Sequence, residues 1–169
     1  MIRVARTELV AILHGIRSVY NVGSMFRTAD GAGIGKMFLC GITPTPLDVF
    51  GKPRADFAKT ALGSELSVPW EKVARAGDCI RRLKADGYSV IAVELASGAV
   101  PYSGATCLRD RKIALVFGNE VEGLSKRILE KCDAIVFIPM RGKKESLNVS
   151  VAFGIVAYEA AKAIDEKRL

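Results

Sequence analysis

The sequence contains one histidine, one tryptophan and only 7% aromatic residues across 169 positions. His14 follows an apolar stretch, and a single histidine supports no credible Ser-His-Asp triad. Cys40, Cys79, Cys107 and Cys132 are far apart with no C-x-x-C pair. That argues against a zinc site or a disulfide framework and for four small thiols in a reducing compartment. No apolar run approaches the ~18 residues needed to span a bilayer. The first residues lack the apolar stretch and small-residue cleavage site of a secretory signal. There is no Walker-type Gly-Lys-Ser/Thr loop. These absences predict a cytosolic protein, with no metal and no membrane segment.

What is present is a hydrophobic, mildly basic chain. Half of the residues are hydrophobic, enough for a sizeable core in a single domain spanning 1–169. Lysine and arginine number 25 against 18 aspartates and glutamates, a net charge of +7. The surplus leans towards residues 1–60, which hold eight basic and four acidic side chains, Arg3 and Arg6 among the basic ones. A polyanion such as RNA is the natural partner for that surplus, although charge alone decides nothing.

Hydrophobic patterning predicts an α/β fold with a mainly parallel sheet flanked by helices. Strands are expected at Val10–Leu13, Lys36–Cys40, Val90–Val93, Lys112–Phe117 and Ala134–Ile138. Helices are expected from about Asn21 to Ala32, with Asn21 or Ser18 as cap, from Trp70 to Asp86 behind Pro69, from Leu124 to Lys131, and from Ser146 or Leu147 to about Lys162. Between Thr43 and Ser67 a long irregular region is interrupted by a short helix near Phe57–Leu62. The last helix is apolar nearly all round, so it must be buried on more than one side, against the sheet and a further surface for which a second subunit is one candidate. Gly31, Gly33 and Gly35 form G-x-G-x-G, but they close a helix, whereas a dinucleotide fingerprint opens one.

Three distant segments place polar groups where apolar elements begin or end. They are Asn21-Val22-Gly23 running to Arg27-Thr28-Ala29-Asp30, Leu115-Val116-Phe117-Gly118-Asn119-Glu120, and Ile138-Pro139-Met140 leading to Ser146-Leu147-Asn148-Val149-Ser150. Strand ends and helix starts are where α/β folds bind ligands. The purely structural alternatives are helix caps for Asn21 and Ser146, an ion pair with Asp30 for Arg27, and simple solvation for Glu120.

In this order and spacing, the three segments resemble the motifs of the SpoU (TrmH-type) branch of the SPOUT methyltransferases, and the resemblance covers residues 9–162. It implies transfer of a methyl group from S-adenosylmethionine to a ribose 2′-hydroxyl of tRNA or rRNA, by a homodimer. It also implies a deep trefoil knot from the fourth strand through the last helix. Relatives often add an N-terminal RNA-binding domain, and none is expected here. The implied catalytic set is Arg27, Asn21, Glu120, Ser146 and Asn148. The implied cofactor set is Phe117, Gly118, Asn119, Leu124, Ile138, Met140 and Leu147. The family gives Arg27 the central role. Because a guanidinium stays protonated beyond pH ~12, binding and orienting a phosphate suits it better than acting as a base. Asn21 then positions Arg27 or the ribose, and Glu120 orients Arg27 or contacts the nucleotide. Lys52, Arg54, Lys59, Arg141, Lys143 and Lys144 are candidate phosphate contacts. A catalytically silent RNA-binding module with the same fold is the main alternative, and a different small-molecule α/β enzyme is the third.

Overall fold

The computed structural model describes residues 8–166; residues 1–7, with Arg3 and Arg6 of the basic surplus, and 167–169 lie outside the described residues. Seven strands form one sheet in the order β3-β2-β1-β6-β4-β7-β5. Every pairing is parallel. The strands are β1 (Leu9–His14), β2 (Lys36–Cys40), β3 (Trp70–Val73), β4 (Ser89–Val93), β5 (Val100–Pro101), β6 (Ile113–Phe117) and β7 (Ala134–Phe137). The helices are α1 (Val19–Ala32), α2 (Ala55–Ala61), α3 (Ser64–Ser67), α4 (Ala76–Ala85), α5 (Lys126–Leu129) and α6 (Val149–Glu166), with one 3-10 turn at Thr106–Arg109.

A parallel sheet must be covered on both faces, and the central strands show it. β1 sends Leu9, Ala11 and Leu13 into a core shared with α1, α2 and α6. Val10 and Ile12 point the other way, into a second core beneath α4 and α5. β6 pairs with β1 in the middle of the sheet, and all five of its residues are buried. The long α1 is capped by Ser18, whose hydroxyl accepts the Asn21 N–H. It stops at Gly33, whose φ of 71° is the left-handed conformation that glycine adopts at no steric cost. Gly31, Gly33 and Gly35 therefore end a helix, as the patterning predicted.

Two strands escaped the sequence reading. Trp70–Val73 was expected to open a helix but is the edge strand β3, paired to β2 from Met37↔Trp70 to Cys40↔Val73. The alternation Trp-Glu-Lys-Val suits a half-buried strand, and Pro69, just ahead of it, accepts the Met37 N–H through its carbonyl. Helix α4 starts only at Ala76. The two-residue β5 is too short for any periodic signal. Elsewhere the boundaries differ by a few residues: α5 is shorter than Leu124–Lys131, and α6 begins at Val149 instead of Ser146 or Leu147.

Helix α6 buries Phe153, Val156, Ala157, Ala160, Ala161 and Ile164 against the sheet. Its other side leaves Val151 50% and Tyr158 54% exposed, with Ile155 half-buried between them. Among the described residues, no helix is long and apolar enough to cross a membrane.

Candidate active site

The carboxyl ends of β4, β6 and β7 and the start of α6 enclose a cavity of about 400 Å³. That is the size range and the location expected for a ligand in an open α/β sheet. Its walls mix apolar side chains (Leu95, Phe117, Ile138, Met140, Leu147) with polar groups from Asn119, Glu120, Glu145, Ser146 and Asn148.

The turn after β6 is built by Asn119. Its side-chain oxygen accepts the N–H groups of Val121 (2.8 Å) and Glu122 (3.1 Å), and its amide donates to the Gly15 carbonyl at 2.9 Å. Gly123 N–H closes the turn onto the Asn119 carbonyl at 3.0 Å. Gly118 sits against this turn: a Cβ there would lie 2.6 Å from the Gly123 carbonyl carbon and 2.7 Å from the Leu124 nitrogen. The packing of backbone on backbone is thus by itself a reason for glycine at this position.

Glu120 does not reach Arg27. One carboxylate oxygen accepts the Arg17 N–H at 3.0 Å; the other accepts the Ser18 N–H at 3.1 Å and the Asn21 side-chain amide at 3.2 Å. Burial pushes the Glu120 carboxyl up, but these N–H donors outweigh it and hold the group below its ordinary range. The negative charge also sits at the amino end of α1, where the helix dipole favours it. Asn21 accepts from the Asn148 side-chain amide at 3.2 Å. Asn148 is the residue just ahead of α6, and its side-chain oxygen accepts the Ser150 N–H (2.9 Å) and hydroxyl (2.6 Å). The expected cap at Ser146 is thus displaced two residues, to Asn148, although Ser146 still lines the cavity.

The structure brings together Asn21, Glu120, Asn148 and Ser146, along with six of the seven residues of the cofactor set. Leu124 is the exception, since its side chain belongs to the core on the opposite sheet face. Its N–H instead donates to Glu94 at 2.9 Å, and Glu94 also accepts the Leu95 N–H at 3.0 Å. Val93, Glu94, Leu95 and Glu145 line the cavity and were missed. The signal was present in part, since Val93-Glu94 is another apolar strand ending in a polar residue.

Arg27 stands apart. It is exposed on α1 in a separate depression lined by Ser24, Thr28, Lys59, Thr60, Leu62 and Tyr158. The alternative for Arg27, an ion pair with Asp30, is not formed; Asp30 accepts the Ser67 hydroxyl at 2.8 Å. Of the proposed phosphate contacts, Arg54 is held by Asp56 through two bonds of 2.7 and 3.0 Å. Lys52, Lys59, Arg141, Lys143 and Lys144 have no carboxylate partner among the described residues. Also among the described residues, no cluster of His, Cys, Asp or Glu is arranged to hold a metal ion.

Fold and cavity define an α/β domain with a cavity at the carboxyl edge of a parallel sheet, where such sheets place their ligands. The chain belongs to the SpoU rRNA methylase family, whose model matches residues 8–158. It is 34% identical over 158 residues to the 23S rRNA (guanosine-2′-O-)-methyltransferase RlmB of Xanthomonas axonopodis pv. citri, covering 94% of this chain and 60% of that protein. Against RlmB of Escherichia coli K12 the identity is 32% over 151 residues, 89% of this chain and 58% of the relative. The chain therefore spans about 60% of the length of these curated relatives. Among solved structures, the A. aeolicus TrmH/SpoU tRNA modifying enzyme superposes with a TM-score of 0.82 at 28% identity, over 96% of this chain and 78% of that one. An AdoMet-bound rRNA methyltransferase from Sinorhizobium meliloti gives 0.83 at 30% identity, over 95% and 58%.

Proposed function

We propose that this chain transfers a methyl group from S-adenosylmethionine to a ribose 2′-hydroxyl of tRNA or rRNA, acting as a cytosolic homodimer. The observation that carries the reading is the linkage Glu120–Asn21–Asn148 at the rim of the cavity. It joins the first, second and third motif segments into one polar edge beside an apolar pocket. The names of the relatives support the same chemistry.

The residues present suit the cofactor. Leu95, Ile138, Met140 and Leu147 offer apolar walls for an adenine ring, and the Gly118–Gly123 turn offers backbone groups for its polar edge. Glu94 and Glu145 place carboxylates in a cavity meant for a positively charged sulfonium. When bound, S-adenosylmethionine supplies an electrophilic methyl group. The chain's part is to hold the ribose oxygen in line and keep the nucleotide still. Ser146 and Asn148, at the amino end of α6, suit hydrogen bonds to ribose or phosphate.

Arg27 belongs to the proposal through the dimer. It lies outside the cavity of its own chain, on the same side as the exposed Val151–Tyr158 stripe of α6. Packing that stripe against a second copy buries apolar surface and offers each Arg27 to the partner's cavity, as a phosphate-orienting cation. The knot is proposed with the same fold; the insertion of β6 between β1 and β4 is compatible with it.

The test is direct. Purified protein, labelled S-adenosylmethionine and unmodified rRNA and tRNA transcripts should yield label in a 2′-O-methyl nucleoside after digestion. Cofactor binding by calorimetry with no label in any RNA would favour a different methyl acceptor. No cofactor binding at all would favour the silent RNA-binding module.

A further inference from the structure

The connection from β2 to α2 ends in an exposed tip that no part of the site uses. Its base is fixed by the fully buried Thr43, whose hydroxyl lies 2.9 Å from the Leu13 carbonyl and 2.8 Å from the Cys40 carbonyl and accepts the Ile16 N–H at 3.2 Å. Further out, the strand-like bridge Leu47↔Pro53 closes a small hairpin. Asp48 is its hub: the side-chain oxygen accepts the Phe50 N–H (2.8 Å) and Lys52 N–H (2.9 Å), while its carbonyl accepts the Gly51 N–H at 3.0 Å. Gly51 turns the chain at a φ of 77°. Arg54 N–H to the Pro46 carbonyl (2.9 Å) and the Thr45 hydroxyl to the Leu47 carbonyl (2.6 Å) complete the frame.

This pre-organised hairpin holds Val49 94% exposed and Phe50 83% exposed at its tip. A loop that only had to close would carry polar residues there; a rigid frame that lifts an aromatic ring into solvent is suited to grip something. The charge around it selects the partner. Both nearby acids are consumed, Asp48 by the hairpin's own N–H groups and Asp56 by Arg54. Lys52, two residues from Phe50 in the hairpin, has no carboxylate partner among the described residues, nor does Lys59 on the α2 helix that follows. An aromatic ring beside an unpaired cation fits a nucleobase with its phosphate, not an apolar protein face.

We infer that Phe50 is a stacking platform for one unpaired base of the RNA substrate, flanking the nucleotide whose ribose enters the cavity, with Lys52 on the adjoining phosphate. The hairpin grows from the carboxyl edge of β2, the same edge on which the cavity opens. This assignment rests on RNA being the substrate, and its test is chosen to separate the two.

Phe50→Ala should raise the KM for RNA about tenfold, the range of one lost base stack, and leave cofactor affinity and oligomeric mass unchanged. Phe50→Leu should behave like the alanine variant, and Phe50→Trp should retain the wild-type KM. A reporter independent of methylation is the double variant Phe50→Trp, Trp70→Phe, whose tryptophan emission should be quenched by a short single-stranded RNA at low salt. Quenching without methylation would keep the stacking platform and sink the methyl-transfer reading. Methylation with an unchanged KM in Phe50→Ala would overturn the platform alone. Full function in Phe50→Leu would overturn it too, as would a change of mass in Phe50→Ala, which would make the tip a contact between copies.

Discussion

The side-chain amide of Asn148 donates to the side-chain oxygen of Asn21 across 3.2 Å, joining residues 127 positions apart in the chain. Each of the two sits at the start of a helix, α1 or α6, and the bond holds those two starts together at the mouth of the cavity. Glu120 holds the other side of Asn21. The three side chains therefore behave as one unit, and changes among them should be non-additive.

Asn148→Ala removes both the cap on α6 and the bond to Asn21. It should cost about 1 kcal/mol of stability, typical for a lost cap, and should reduce turnover far more than stability. Asn148→Asp keeps the cap, since its oxygen still accepts the Ser150 groups, but loses the donor to Asn21 and adds charge near Glu120. Thermal melts and methylation rates on both variants check this. Near-wild-type melting with lost turnover in Asn148→Asp is the expected outcome, and intact turnover would count against the proposed site.

Glu120 makes stability depend on acid. Its folded carboxyl is held below the unfolded value, so its contribution is complete above the ordinary glutamate pKa of about 4.3 and is lost as pH falls through the lower folded value. Glu120→Gln removes that dependence. Urea midpoints taken from neutral pH downwards should show the wild type losing its advantage over Glu120→Gln only in the acid range. A constant gap across the series would mean that the Arg17, Ser18 and Asn21 donors do not hold the charge.

Gly118 offers a test of packing against ligand access. Gly118→Ala forces a methyl into the Gly123–Leu124 backbone, and overpacking of this kind typically costs about 1–3 kcal/mol. The turn shaped by Asn119 should shift, lowering the melting temperature and weakening S-adenosylmethionine binding together in calorimetry. Weaker binding with an unchanged melting temperature would return the argument to a ligand that needs the space.

The strands that form the cavity were legible because strands covered on both faces are continuous apolar runs: Ile113–Phe117, fully buried, and Ala134–Phe137, half-buried except for the buried Val136, both read that way. The start of α1 was legible from its capping candidates, Ser18 among them, whereas at α6 Ser146 and Asn148 are equally good caps by type and only the structure picks Asn148. What could not be read was long-range: that Glu120 would bond to the amino end of α1 instead of to Arg27, or that Leu124 would face the opposite core. Periodicity fixes which residues share a face of one element, not which elements share an edge. Trp70–Val73 was misread because Pro69 followed by a mixed polar stretch is equally a helix opening and an edge strand, and only pairing with β2 decides between them.

The position of Arg27 outside its own cavity gives the sharpest prediction. Arg27→Ala should abolish turnover with cofactor affinity intact, and Arg27→Lys should not rescue it, because the planar fork that grips a phosphate is lost. If each Arg27 serves the partner's cavity, Arg27→Ala and Asn148→Ala spoil different halves of a site. In a mixed dimer one cavity then collects both defects and the other collects neither. Equal mixing and reassembly of two inactive variants should restore about a quarter of wild-type activity, since half the dimers are mixed and half their sites are whole. If Arg27 works within its own chain, every site in the mixture carries a defect and no activity returns. Mass measurement on differently tagged copies shows that mixed dimers have formed, so silence in their presence would remove Arg27 from the partner's site.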